Sequence, residues 1–398
     1  MDPAALERYA ELIVRFAVNV QPGQNVEVGS EIGKEQLTRA VAAAAYRAGA
    51  RHVAVLYDDL HLKRARILHA PDDALGYAPD WVRRQVQELN ERHGASIYLS
   101  GAAEPGILDG LDGDRIGRDR SPEAVDWHDA INARTVNWTV VPAPTPAWAG
   151  MVHPSLEPAE AYERLWEQVM HVCRMDEDDP VEAWRRRSTE LQTAAARLTD
   201  LRLDSLQFVG PGTDLTVGLL PTSRWVGGGE ETVDGIEHMA NLPTEEVFTT
   251  PDPKRTSGVV RATKPLEMAG STVRGLEVRF EDGRAVEFRA ESGAEALQSR
   301  TVRDEGGAFL GEVALVDREG RIAPLDTVFY DSLLDENASS HIALGSAYET
   351  VGKEDLDRIN RSEIHVDFMI GGDDVAVTGV TPGGEQVEIL TGGRWAFG

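Results

Sequence analysis

The hydrophobic pattern of the chain changes character near residue 195, and this change limits the folds available to it. Before that point, short apolar runs such as Val53–Tyr57 alternate with helical segments such as Glu35–Ala48. Helices of roughly 10 to 15 residues between strands are typical of parallel crossover units. We therefore predict an α/β domain with a parallel sheet over residues 1–195.

After residue 195 the pattern is dominated by strands and turns. Leu276–Glu281 and Arg284–Arg289 flank Asp282-Gly283, a dipeptide that favours a tight hairpin turn. Residues 196–398 are therefore predicted to form a second, mostly β domain of the α+β type.

Charge and cysteine content narrow the function classes. The 398 residues include 40 Lys and Arg against 67 Asp and Glu, a net charge of −27. Such a negative field repels nucleic-acid phosphates and anionic lipid. The single cysteine, Cys173, excludes an intrachain disulfide and a thiolate metal cluster. With neither a secretory leader nor a long apolar span, we expect a cytoplasmic protein that binds no nucleic acid and no membrane.

Carboxylates and histidines interrupt apolar segments of the second half. Glu245 and Glu246 precede one short apolar run, and Glu312 lies inside another. A carboxylate in such a run is costly to bury unless a cation compensates it. His365 and Asp367 are two residues apart on a predicted strand, so both face one side, where one metal ion could bind them together.

A further polar group lies between these segments. Ser339 is a natural helix cap, so we predict a helix that starts near it, with Glu336 just before. On that helix His341 and Tyr348, seven residues apart, share a face. The resulting set of oxygen and nitrogen ligands, without thiolates, suits zinc, cobalt, manganese or iron. Its many carboxylates match the needs of two adjacent ions.

Four sequence blocks in this region resemble those of the thermophilic aminopeptidase family of metallopeptidases. In order, they are Asn241–Asp252, Gly311–Val316, Leu334–His341 and His365–Gly371. The resemblance extends over essentially the whole chain. It implies a two-metal exopeptidase with an α/β amino-terminal domain and a mostly β catalytic domain. It also implies a homodimer whose substrates are peptides with a free N-terminus.

The resemblance implies roles for individual residues as well. The expected cofactors are two divalent ions, from among zinc, cobalt, manganese and magnesium. Their expected ligands are Glu246, Glu312, Glu336, His341, His365 and Asp367. The active-site tyrosine of the family falls on Tyr348, which we expect to donate a hydrogen bond to the developing oxyanion. Glu312 is the expected bridging ligand, and either Glu245 or Glu246 is the expected proton shuttle.

Two other functions compete with this interpretation. His341, His365 and Asp367 alone would suffice for a single-iron, ring-cleaving dioxygenase, although the retained glutamates favour two metals. A catalytically silent binding protein would use the metals for stability only, but structural zinc sites are normally rich in cysteine.

Lys264 is interpreted either as a substrate contact or as a surface lysine at the end of a strand.

Overall fold

Helices and parallel strands alternate through the first 200 residues. The computed structural model describes residues 2–119, 124–268 and 271–397 of the chain. In chain order, the elements of this part are α1 (Pro3–Leu12), β1 (Asn25–Glu31), α2 (Glu35–Arg47), β2 (His52–Asp58), α3 (Leu60–His69), α4 (Asp80–Glu91), β3 (Ala95–Ser100), α5 (Gly113–Arg118), α6 (Ala124–Ala133), β4 (Asn137–Pro142), α7 (Pro146–Val152), α8 (Pro158–Val172) and α9 (Pro180–Asp200).

The four strands of this part form one parallel sheet in the order β2-β1-β3-β4. Val26 in β1 pairs with Val53 in β2 and with Ala95 in β3. Val26 and Ile97 are fully buried, as expected for the central strands of a parallel sheet covered by helices. The predicted α/β class with a parallel sheet is confirmed.

Strands dominate the rest of the chain. In chain order, its elements are β5 (Ser205–Gly210), β6 (Thr213–Leu219), β7 (Val226–Gly227), β8 (Glu230–Glu231), β9 (Glu237–His238), β10 (Glu246–Thr249), β11 (Pro251–Arg261), β12 (Leu266–Met268), β13 (Ser271–Val273), β14 (Glu277–Glu281), β15 (Arg284–Arg289), α10 (Ala294–Thr301), β16 (Leu310–Val316), α11 (Ser332–Glu336), β17 (His341–Gly345), β18 (His365–Met369), β19 (Ala376–Val380), β20 (Gln386–Thr391) and β21 (Arg394–Trp395).

The hairpin between β14 and β15 turns where the sequence predicts it. Glu281 pairs with Arg284, and the two residues between them, Asp282 and Gly283, have φ angles of 48° and 85°. Two positive φ angles give the turn the twist of the flanking strands. A Cβ atom on residue 283 would overlap the carbonyl oxygen of Pro253, so glycine is required there.

Two antiparallel sheets enclose the core of this part. One has eight strands in the order β15-β14-β11-β6-β5-β19-β20-β21, and the other has five in the order β18-β17-β16-β10-β7. Val313 and Ile342 of the five-stranded sheet belong to the same buried cluster as Phe208 and Val217 of the eight-stranded sheet. The opposite face of the five-stranded sheet is therefore available for polar side chains.

The prediction of a helix starting near Ser339 is wrong. Residues His341–Gly345 form β17, which pairs with β16 on one side and with β18 on the other. All five are buried, and a backbone buried between two strands satisfies its N–H and C=O groups through the sheet ladder. A short apolar run does not distinguish a central strand from a buried helix. Tyr348 lies in the irregular segment after β17.

Two compact units divide the chain, and each is assembled from separate segments. The first comprises Met1–Arg187, Gly229–Thr244 and Phe329–Leu333, and includes the parallel sheet. The second comprises Ser188–Gly228, Glu245–Val328 and Leu334–Gly398, and includes both large antiparallel sheets. Across residues 2–119, 124–268 and 271–397, no helix combines the length and the apolar character needed to cross a membrane.

Candidate metal centre

One face of the five-stranded sheet carries five of the six predicted metal ligands. Side chains alternate between the two faces along each strand. Val247, Val313, Leu315, Ile342, Leu344, Val366 and Phe368 lie in the buried cluster. The alternate positions therefore face the other way, and they are occupied by Glu246, Glu312, His341, His365 and Asp367.

Small residues occupy the positions between these ligands. Ala343 pairs with Glu312 on one side and with Asp367 on the other. Ala314 pairs with His341 in the same way. Paired residues of an antiparallel sheet share a face, so the alanine methyl groups lie among the ligands and leave space above the sheet.

The ligand atoms form two groups that share one carboxylate. Glu246, Glu312 and His341 make one group, and Glu312, His365 and Asp367 make the other, with all ligand atoms of a group within 4.8 Å of one another. Oε1 of Glu312 lies 3.6 Å from Nε2 of His341, and Oε2 lies 3.4 Å from Nε2 of His365. Each carboxylate oxygen of Glu312 thus faces a different imidazole.

Backbone carbonyl groups fix the tautomer of both histidines. Nδ1 of His341 lies 3.1 Å from the carbonyl oxygens of Glu336 and of Ser339. Nδ1 of His365 lies 2.8 Å from the carbonyl oxygen of Ser346. A carbonyl oxygen can only accept, so Nδ1 carries the hydrogen in both rings. Nε2 is then the nitrogen that faces the carboxylates, and it would become a ligand by losing its proton when a metal ion binds there.

The electrostatics of the cluster favour added positive charge. Burial lowers the pKa of His341, but its contacts with Glu246 and Glu312 and the charge of Asp367 together outweigh burial and raise that pKa well above its ordinary value. Burial also lowers the pKa of His365, but its contacts with Asp367 and Glu312 together outweigh burial and raise that pKa well above its ordinary value. Burial, with the charges of Asp367 and Glu246, raises the pKa of Glu336 well above normal. Each shift lowers the net negative charge of the cluster.

These residues fit divalent metal ions. Oε2 of Glu246 is buried and has no hydrogen-bond partner in the described part of the chain, although it lies 3.0 Å from Nε2 of His341. Two ligand atoms that face each other across a small gap can both bind a cation placed between them. Carboxylate oxygens and imidazole nitrogens without thiolate suit zinc, cobalt or manganese.

Glu336, the sixth predicted ligand, approaches the cluster from outside the sheet. It ends the short helix α11, and its carboxylate is close enough to Asp367 and Glu246 for their charges to raise its pKa. Asn337 follows it and donates from Nδ2 to Oε1 of Glu336 over 3.4 Å.

The side chain of Glu245 takes a different direction from that of Glu246. Its Oε1 accepts a hydrogen bond from the backbone N–H of Arg321, over 3.3 Å. Its own N–H donates to Oδ1 of Asn337, over 2.6 Å. Glu245 is buried, but neither of the two groups of possible metal ligands includes it. The structure thus brings its carboxylate to the turn at Gly320 and Arg321.

Tyr348 lies beside the cluster. The centroid of its ring is 5.4 Å from that of His365 and 5.5 Å from that of Phe248. Its carbonyl oxygen accepts a hydrogen bond from Oγ1 of Thr250. Phe248 is two residues from Glu246 on β10 and therefore projects from the same face of the sheet.

Sequence analysis missed three residues that surround the ligands. Ala314, Ala343 and Asn337 hold no charge and were given no role, although Ala314 and Asn337 lie within two of the four sequence blocks. Only their positions in the sequence, relative to the predicted ligands, could have indicated that they line the site. The two alanines are two residues after Glu312 and His341, on the same strand faces, and Asn337 directly follows Glu336.

Comparison with known proteins agrees with this geometry. A family model described as thermophilic metalloprotease (M29) matches residues 3–395. Aminopeptidase T of Thermus thermophilus is 40% identical over 98% of both chains, and aminopeptidase 2 of Geobacillus stearothermophilus is 38% identical over 98% of both chains. A solved structure, wild-type AmpT from Thermus thermophilus, superposes with a TM-score of 0.87 over 99% of each chain at 40% identity.

The fold, the carboxylate-rich centre and these matches together define a metal-dependent peptidase. The chain belongs to the M29 family of thermophilic metalloproteases. The names of these relatives give no support to the ring-cleaving dioxygenase considered from the sequence.

Proposed function

We propose that this metalloaminopeptidase uses two divalent metal ions to remove the N-terminal residue from peptides. The single observation that carries the two-ion proposal is the sharing of Glu312 between both groups of ligand atoms. Each oxygen of that carboxylate faces a different histidine, as expected for a bridging ligand. The ions would be held by Glu246, Glu312, Glu336, His341, His365 and Asp367, and zinc, cobalt, manganese and magnesium are the candidates.

The ions, when bound, would supply Lewis-acid chemistry, which lowers the pKa of a water molecule and polarises the scissile carbonyl group. The role of the protein is to fix the ligands before the substrate arrives. The backbone hydrogen bonds of His341 and His365 hold both rings in one tautomer. Ligands held in this way lose little conformational freedom on metal binding.

Tyr348 would stabilise the negative charge that develops on the carbonyl oxygen. Its ring packs between those of Phe248 and His365, beside the ligands. A hydroxyl group held there can donate a hydrogen bond to an oxyanion without reorganisation of the site. Either Glu245 or Glu246 would accept a proton from the attacking water and transfer it to the leaving amine.

The concentration of carboxylates would favour substrates with a free N-terminus. An α-ammonium group pairs with a carboxylate, whereas an acylated nitrogen carries no charge and would leave a buried carboxylate uncompensated. Peptides with a free N-terminus are therefore the proposed substrates. A homodimer in the cytoplasm is the proposed form of the enzyme, on the resemblance and the composition described above.

Hydrolysis of Leu-p-nitroanilide and of its N-acetylated counterpart tests this function. Metal-stripped protein is titrated separately with cobalt, manganese, zinc and magnesium. We expect cleavage of the free-amine substrate only, with activity that saturates near two ions per chain. Equal cleavage of both substrates, or saturation at one ion, would contradict the proposal.

A further inference from the structure

Lys264 lies next to the elements that carry the metal ligands. It follows the end of β11, and the N–H of the preceding residue, Thr263, donates to the carbonyl oxygen of Met369 over 2.8 Å. Met369 is the last residue of β18, the strand that carries His365 and Asp367. The backbone at Lys264 is thereby tied to the ligand sheet.

The ammonium group of Lys264 is directed to Asp335. Nζ lies 3.2 Å from Oδ1 of Asp335 and 3.3 Å from the carbonyl oxygen of Thr327. Only 1% of the Asp335 side chain is exposed, and 18% of that of Lys264. A carboxylate buried so deeply is strongly destabilising when its cationic partner is removed.

Asp335 immediately precedes Glu336 on α11, which has only five residues. So short a helix is not stable by itself and takes its position from tertiary contacts. The residue after Glu336, Asn337, accepts a hydrogen bond from the N–H of Glu245 and donates one to Oε1 of Glu336. Glu336 is therefore held from both sides, by Asp335 and by Asn337.

We propose that Lys264 is a positioning residue for the metal centre, acting through Asp335 to fix the carboxylate of Glu336. The same segment also fixes a second ligand, because the carbonyl oxygen of Glu336 accepts from Nδ1 of His341. This proposal rests on the proposed function, in which Glu336 and His341 are metal ligands.

The metal affinity of a Lys264 variant distinguishes a positioning role of this residue from a simple effect of its charge. Removal of a positive charge near an acidic site strengthens cation binding by Coulomb attraction. Loss of a positioning contact weakens it, typically by about 10- to 100-fold. The two effects have opposite signs.

Metal-stripped wild type, Lys264→Met and Lys254→Met are each titrated with Co²⁺. The binding affinity is measured by calorimetry and by the visible absorption of bound cobalt. Lys254 is exposed on β11 and provides a control with the same change in charge. We expect binding about 10- to 100-fold weaker in Lys264→Met, and binding like that of wild type in Lys254→Met. Unchanged or tighter binding in Lys264→Met would overturn the proposal.

A second pair of variants guards against misfolding, because Lys264→Met removes the ammonium group that faces the buried carboxylate of Asp335. The double variant Lys264→Met/Asp335→Asn removes both charges of the pair, and Asp335→Asn provides the second single variant for comparison. We expect the double variant to bind cobalt no more weakly than the weaker single variant, because both changes break one interaction. Additive losses would show that the two residues act separately and would refute the mechanism.

Kinetics at saturating metal distinguish positioning from direct contact with substrate. As the metal concentration rises, the kcat of Lys264→Met should approach that of wild type, and its KM should equal that of wild type. A raised KM at full metal occupancy would instead mean that Lys264 binds substrate. Failure of wild type to bind two ions would count against the proposed function itself, and is read from the same titration.

Discussion

At the scale of single residues, the proposal of two ions depends on Glu312. It is buried, and burial by itself would raise the pKa of its carboxyl group. The close contacts with His341 and His365 and the charge of His365 together outweigh that effect and lower the pKa below its ordinary value. Glu312 is therefore ionised at neutral pH and is available to both groups of ligand atoms.

Replacement of this carboxylate tests its bridging role. Glu312→Gln should lower kcat by at least about 100-fold and reduce the metal content, because an amide is a weak ligand and cannot bridge two cations. Metal analysis after dialysis and the Leu-p-nitroanilide assay measure both effects. Glu319→Gln, at an exposed glutamate, is the matched control. Two ions bound to an active Glu312→Gln variant would refute the bridging role.

The role of the Tyr348 hydroxyl group can be tested separately from the packing of its ring. Tyr348→Phe retains the ring that packs against His365 and Phe248, but removes the proposed donor to the oxyanion. Loss of one such donor costs about 100- to 1,000-fold in kcat, with KM and metal content unchanged. Steady-state kinetics at full metal occupancy measure this loss, and Tyr77→Phe, at an exposed tyrosine, is the control. Unchanged kcat would remove Tyr348 from the mechanism.

At the scale of elements, the strand β17 explains why the site could be predicted only in part. The carboxylates and histidines stood out because charged residues in apolar runs need a partner. The helix predicted from Ser339 failed because Ile342, Ala343 and Leu344 are compatible with either structure, and pairing to β16 and β18 decided between them. The direction of Glu245, towards Gly320, depends on a turn far away in sequence.

The small residues of the ligand face give a prediction at this scale. Ala343→Leu should reduce metal affinity by about tenfold or more, because the larger side chain enters the space between Glu312 and Asp367; overpacking of this kind typically costs about 1 to 3 kcal/mol. Calorimetric titration with zinc measures the affinity. Ala376→Leu, at an exposed alanine in β19, should bind zinc normally. Normal binding by Ala343→Leu would show that the ions lie elsewhere.

At the scale of the whole molecule, stability should depend on a histidine in the first unit. Burial lowers the pKa of His238 to about 4, below the ordinary value of about 6.5. The neighbouring carboxyl group of Glu230, 3.9 Å away, offers little compensation, since burial raises its pKa to about 7. The unfolded chain therefore binds more protons at His238 than the folded chain does between pH 4 and 6.5.

This difference in bound protons means that the folded chain becomes less stable as the pH falls. The contribution of neutral His238 is fully present above about pH 6.5 and is lost as the pH falls towards 4, by at most about 3 kcal/mol. His238→Gln should therefore show a flatter fall in the urea midpoint over this range than wild type. His52→Gln, at an exposed histidine, should follow wild type. Parallel pH profiles for wild type and His238→Gln would contradict the assignment.

Anomalous diffraction from crystals soaked in Co²⁺ or Zn²⁺ measures how many ions bind at Glu312. We predict two anomalous peaks about 3.5 to 4 Å apart, one near Nε2 of His341 and one near Nε2 of His365, with Glu312 between them. A single peak at full occupancy, or two peaks that share no contact with Glu312, would show that Glu312 does not bridge two ions.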